Sequence, residues 1–175
     1  MKIFTAKNVL MAFLLIKLSI TICSAQSLSS YQFSSTSGTF NLISGGTLLG
    51  KTTATSGNIP TLDKAVYNLP AGTIPFQFKF ENNFYTGMNV SSNGFITFGS
   101  LSPSVSLNLP LSDNSAFAGI LCPMGNDLNG FYSSTDTTKN SEIRYQVLGS
   151  SPSRVFVVQW KFMRPWSSAT TLTNY

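Results

Sequence analysis

The chain contains no histidine, and that gap closes several kinds of chemistry at once. A Ser-His-Asp or Cys-His relay has no general base to run on, and most zinc sites lose a principal ligand. Charge is scarce as well: Asp, Glu, Lys and Arg make up 10% of the 175 residues, and only six are acidic. A glycosidase needs two carboxylates facing each other across a cleft. Asp63, Glu81, Asp113, Asp127, Asp136 and Glu142 all fall in or beside expected loops or strand ends, where solvation is the default. No two of them share a suggestive spacing. The inventory yields no catalytic residue, calls for no cofactor and points away from an enzyme.

Cysteine is nearly missing too. Cys23 falls in the leader described below, which leaves Cys122 without a partner, so the chain is held by its core and not by disulfides. Cys122 ends the apolar stretch Ala118-Gly119-Ile120-Leu121-Cys122, with no flanking Lys or Arg to lower its pKa. It reads as a small buried hydrophobe.

One long apolar run exists, and it is N-terminal. Lys2 and Lys7 precede Val9–Ile16, and Cys23-Ser24-Ala25 supplies the small residues that a signal peptidase reads. A helical signal peptide over 1–25 is expected, cut between Ala25 and Gln26. The run is shorter than the ~20 residues that span a bilayer, and Lys17 interrupts it, so no membrane span is expected after removal. Ile22 occupies the position before Cys23 where lipidation needs a small residue.

Removing 25 residues leaves 150, enough for one domain with a sizeable core. Lys2, Lys7 and Lys17 leave with the leader, so eight of the eleven basic residues remain against six acidic ones, a net of +2. No Lys/Arg cluster survives, which excludes nucleic acid as a partner.

Residues 26–56 form a Ser/Thr/Gly-rich segment expected to hold short strands or an ordered arm. Over 57–175 the period is two. Phe76, Phe78 and Phe80 alternate with Gln77, Lys79 and Glu81, as a half-buried strand requires. Asn82-Asn83 allows a tight turn before Phe84-Tyr85. Asn93-Gly94 is a hairpin signal, since both residues tolerate φ > 0, joining Met88–Ser92 to Phe95–Phe98. Ile143, Tyr145 and Val147 share one parity. After the loop Gly149–Ser153, Phe156, Val158, Trp160 and Phe162 share another. No window carries a helical period. The expected fold is all-β, a sandwich of antiparallel strands, with twelve phenylalanines left to fill it. The unpunctuated end at Ser167–Tyr175 suggests a sandwich cut short at its C-terminus.

Two clusters are candidate binding groups. Asn126, Asp127 and Asn129, before Gly130, gather oxygens along a loop as a calcium site would, although an Asx-type turn explains the same residues. Trp166, with Arg164 and Tyr132, could stack on a sugar, whereas the parity of Trp160 places it in the core.

Several of these segments together are familiar. Tyr67-Asn68-Leu69-Pro70, Phe76–Phe80, Phe84-Tyr85-Thr86 and Val90-Ser91-Ser92-Asn93-Gly94-Phe95-Ile96-Thr97-Phe98-Gly99 resemble a β-sandwich module found near the N-terminus of large secreted bacterial proteins. Such proteins often carry fibronectin type III repeats and a C-terminal type IX secretion sorting tail. The Ser-Ser-Asn-Gly-Phe-Ile-Thr-Phe-Gly run is also similar to that of the extracellular nidogen-like domain. Ala118–Pro123 with Asp127-Leu128, then Ile143–Gln146 and Arg154–Trp160, resemble later segments of the same module. Met124-Gly125-Asn126 departs from its aromatic-acidic pair. The resemblance implies structural roles for Asn93, Gly94, Phe95, Phe98, Gly99 and Trp160. It also implies a non-catalytic interaction module, adhesive in character, outside the cell or on its surface. Its partners would be neighbouring domains, extracellular components or glycans.

Overall fold

Period-two patterning becomes two antiparallel sheets. In the computed structural model the described residues are 32, 34–53, 55–56, 59–60, 62–112 and 117–166. The expected leader with its Ala25/Gln26 junction and the stretch 167–175 lie outside them. Met1–Gly38 and Thr39–Tyr175 are separate units, and every described strand belongs to the second. The strands are β1 (Thr47–Lys51), β2 (Thr55–Ser56), β3 (Ile59–Pro60), β4 (Val66–Leu69), β5 (Phe78–Phe80), β6 (Asn83–Tyr85) and β7 (Met88–Ser91). They continue with β8 (Phe95–Phe98), β9 (Gly119–Leu121), β10 (Leu128–Gly130), β11 (Glu142–Leu148), β12 (Val155–Lys161) and β13 (Met163–Pro165). Among the described residues there is no α-helix, only 3-10 turns at Pro110–Ser112 and Thr137–Lys139.

One sheet runs β4-β7-β8-β9 and the other β1-β11-β12, with small ladders β2-β3, β5-β6 and β10-β13. The Ser/Thr/Gly-rich segment thus contributes β1, which pairs with β11. Register places Tyr67, Leu69, Met88, Val90, Ile96, Phe98 and Leu121 on one face of the first sheet. On the second, Ile143 lies opposite Trp160, Tyr145 opposite Val158, and Val147 opposite Phe156. These faces meet in one apolar cluster. Each fully buried Phe, Leu or Ile in it is worth about 1.5–3 kcal/mol. The rings of Phe78, Phe80 and Tyr85, carried by the β5-β6 hairpin, surround Phe98 at centroid distances of 5.4, 5.1 and 4.8 Å. The Phe80 ring lies over Gly119, where an added Cβ would come within 2.5 Å of it.

β7 is buried on both faces. Its second face carries a polar row: Asn68 Nδ2 donates to Asn89 Oδ1 (2.9 Å), and Asn89 Nδ2 donates to Thr97 Oγ1 and to the Leu101 carbonyl (both 3.3 Å). Buried amides persist only when paired in this way.

Three details differ from the expected pattern. The β5-β6 loop is Glu81-Asn82, since Phe80 pairs with Asn83, and it is Glu81 that takes a positive φ of 59°. The β7-β8 connection is a three-residue loop, Ser92-Asn93-Gly94, in which Gly94 alone is left-handed (φ 76°). Phe162 does not continue β12. The chain breaks there at φ 53°, and Met163 becomes the fully buried residue.

Candidate functional site

The Ser-Asn-Gly turn is not a surface feature. Asn93 is 1% exposed, and its side chain works in both directions. Nδ2 donates to the Leu107 carbonyl at 2.9 Å, and Oδ1 accepts from the Leu128 N–H at 3.1 Å. Its backbone carbonyl accepts from Asn126 N–H, and that of Gly94 accepts from Met124 N–H. A Cβ on Gly94 would meet Met124 at 2.6 Å. One turn therefore fastens the loop after β8 and the whole approach to β10. Phe95 and Phe98 are fully buried on either side of β8, and Gly99 ends the strand at φ 85°. Trp160, 3% exposed, donates from Nε1 to the Ser91 carbonyl at 2.8 Å and so ties the two sheets together.

The two candidate binding clusters prove to be neighbours. β10 pairs with β13, which sets Asn129 opposite Arg164. Arg164 Nε donates to Asn129 Oδ1 at 2.8 Å, and its guanidinium lies 5.7 Å from the Phe131 ring centre. Trp166 N–H donates to the Asp127 carbonyl at 2.8 Å, while its indole is 52% exposed. Tyr132, half-buried, follows two residues after β10. As for calcium, Asn129 is 4% exposed with its oxygen engaged by Arg164, and Asn126 Oδ1 accepts from Asp127 N–H. Those two oxygens serve the local fold. Asp63 shares the locality: burial, and secondarily the Asp127 charge, push its carboxyl upward, with Lys64 opposing.

Glu142 departs from the solvated carboxylate expected of it. It is 7% exposed and lies opposite Lys51 on one side and Lys161 on the other. Lys161 Nζ stands 3.0 Å away, Lys51 Nζ 3.9 Å, and Arg144 Nη2 also donates to it. Burial works to raise its pKa, but hydrogen bonds and charge from Lys161 and Arg144 win, holding the carboxyl below its ordinary range. Sequence reading missed this cluster because its members come from three strands.

Between the sheets an apolar cleft of about 520 Å³ opens to solvent. Met88, Ile96 and Phe98 floor it, Leu121 and Cys122 form one lip, and Phe156 and Val158 the other. The only polar group of Trp160 in its wall is spent on Ser91. Burial pushes the Cys122 thiol above its ordinary pKa. Among the described residues, no carboxylate, lysine or arginine lines the cleft.

These features define an antiparallel β-sandwich domain organised about a Ser-Asn-Gly-Phe turn. The chain belongs to the NIDO-related (nidogen-related) family, whose model matches residues 30–174. No curated protein and no solved structure matches it. No helix among the described residues is long and apolar enough to cross a membrane.

Proposed function

We propose that the chain is a non-catalytic, extracellular interaction module, exported by its N-terminal signal and carried by a larger secreted or surface protein of adhesive type. The observation that carries this reading is the open cleft. Among the described residues its walls offer apolar contact and, Cys122 apart, no ionisable group, so it can bind but holds no acid–base pair with which to move a proton. Nidogen-related membership supports an extracellular role. The carboxylates support it too: Glu142 is bound to Lys161 and Arg144, and Asp136 caps the turn at Thr137–Lys139. In a bacterial host, the resemblance to secreted multidomain proteins makes type IX secretion the export route.

A second reading, carbohydrate binding, is favoured by the half-exposed Trp166 beside the anchored Arg164. A sugar would stack on the indole and hydrogen-bond to the polar groups around it. A glycan array probed with the full chain and with Trp166→Ala separates the two. Sugar-competed binding lost in the variant would replace the first reading with the second, and absence of any glycan signal supports the first. Turnover of a glycan by the purified chain would contradict both.

A further inference from the structure

The cleft lies between two strand edges, and that gives its occupant a shape. β9 ends the first sheet and β12 ends the second, and among the described strands neither has a neighbour on its outer side. Both edges bound the same opening: Leu121 of β9 and the following Cys122 form one lip, and Phe156 and Val158 of β12 form the other. An unpaired strand edge presents a row of N–H and C=O groups that will pair with another extended chain. Proteins usually blunt such edges with proline or an unpaired charge. β12 runs seven residues without proline, and its single charge, Lys161, is already held by Glu142. Leu121 at the opening is 38% exposed, and Phe156 and Val158 across from it are only partly buried, so apolar surface remains to be covered there.

We propose that the cleft accepts a β-strand from a partner polypeptide. An extended segment of about five to seven residues pairs with the outer edge of β12. At alternate positions it turns apolar side chains inward against Leu121, Ile96 and Val158. Backbone pairing supplies affinity, and the alternation supplies specificity, because side chains on successive residues point to opposite faces. A purely apolar small molecule would fill the volume and leave the β12 edge unpaired. This deepens the interaction reading by naming the kind of partner, and it rests on that reading.

Cys122 at the lip reports occupancy. The full chain is alkylated with iodoacetamide at mildly alkaline pH, and modification of Cys122 is followed by peptide mass spectrometry. The probes are an acetylated heptapeptide alternating threonine and valine, the same residues in block order, the alternating peptide N-methylated throughout, and laurate. The alternating peptide should slow Cys122 alkylation about tenfold, with the block and N-methylated forms much weaker. Leu121→Lys, shown folded by circular dichroism, should lose the protection. Equal protection by the N-methylated peptide, protection by laurate alone, or no protection by any probe would overturn the proposal. So would a protein already dimeric through this edge in sedimentation without peptide. Failure of the broader interaction reading is seen elsewhere, in where the protein is found and in whether it turns over a glycan.

Discussion

Asn93 Oδ1 accepts the backbone N–H of Leu128, thirty-five residues further along the chain, while its Nδ2 holds the Leu107 carbonyl. One side-chain amide thus closes two loops over the end of the first sheet. Replacing it with alanine strands two buried backbone groups, each costing about 1–3 kcal/mol. Asn93→Ala should lower the thermal midpoint sharply. Asn93→Asp should be no better, because it keeps the acceptor for Leu128 but sets a second acceptor against Leu107. Restored stability in the aspartate variant would show that the Leu107 bond contributes little.

At the next residue the constraint is on the backbone. Gly94 sits at φ 76° with Met124 against it, so Gly94→Ala combines strain with a clash. A loss of about 1–3 kcal/mol is expected in urea unfolding, and Met124→Ala in the same background should recover part of it.

Trp160 joins the sheets twice, through its ring in the core and through its indole N–H on Ser91. Trp160→Phe keeps an aromatic ring but removes one of two donors to the Ser91 carbonyl, which the Gly94 N–H also reaches. About 0.5–1.5 kcal/mol should be lost. A change within error would mean that the bridge between the sheets is apolar alone.

Glu142 makes stability depend on acid. Its folded pKa lies below the ordinary value of 4.5, so its stabilising effect is complete above that value and disappears as pH falls through the depressed folded one. Glu142→Gln should flatten the acid limb of a stability–pH curve. At neutral pH it leaves Lys161 and Arg144 facing an uncharged group, at a cost of about 3 kcal/mol. Asp63 runs the other way. Its folded pKa is raised, so its favourable contribution is present below the unfolded value and lost as pH rises through the folded one. Asp63→Asn should therefore be more stable than the parent at neutral pH, by thermal melting.

Cys122 has a raised pKa through burial, so its alkylation rate should keep climbing at pH values where a free cysteine peptide has levelled off. A rate profile matching the free peptide would place the thiol in open solvent.

The strands were legible wherever one face is dry and the other wet. Phe78 and Phe80, Ile143 and Tyr145, and Phe156 to Trp160 announce their sheets because alternation is a local signal. Contacts between distant segments leave no such trace. Nothing around Asn93 reveals Leu107 or Leu128. Glu142 looks like a solvated strand end until Lys51 and Lys161 arrive from β1 and β12. Gln159, with the parity of an outward residue, is 3% exposed, while Val155 on the same face is 55% exposed, so the burial is local to one end of β12. At the candidate site, sequence alone assigns Arg164 and Asn129 to separate clusters. Only the β10-β13 register shows that they serve one another.

Where the protein resides decides the most. Fractionation of cells expressing the tagged, full-length gene product, with N-terminal sequencing of the recovered protein, should find it outside the cell or on the outer surface, beginning at Gln26. Recovery from the cytoplasm with Met1 still in place would contradict the account.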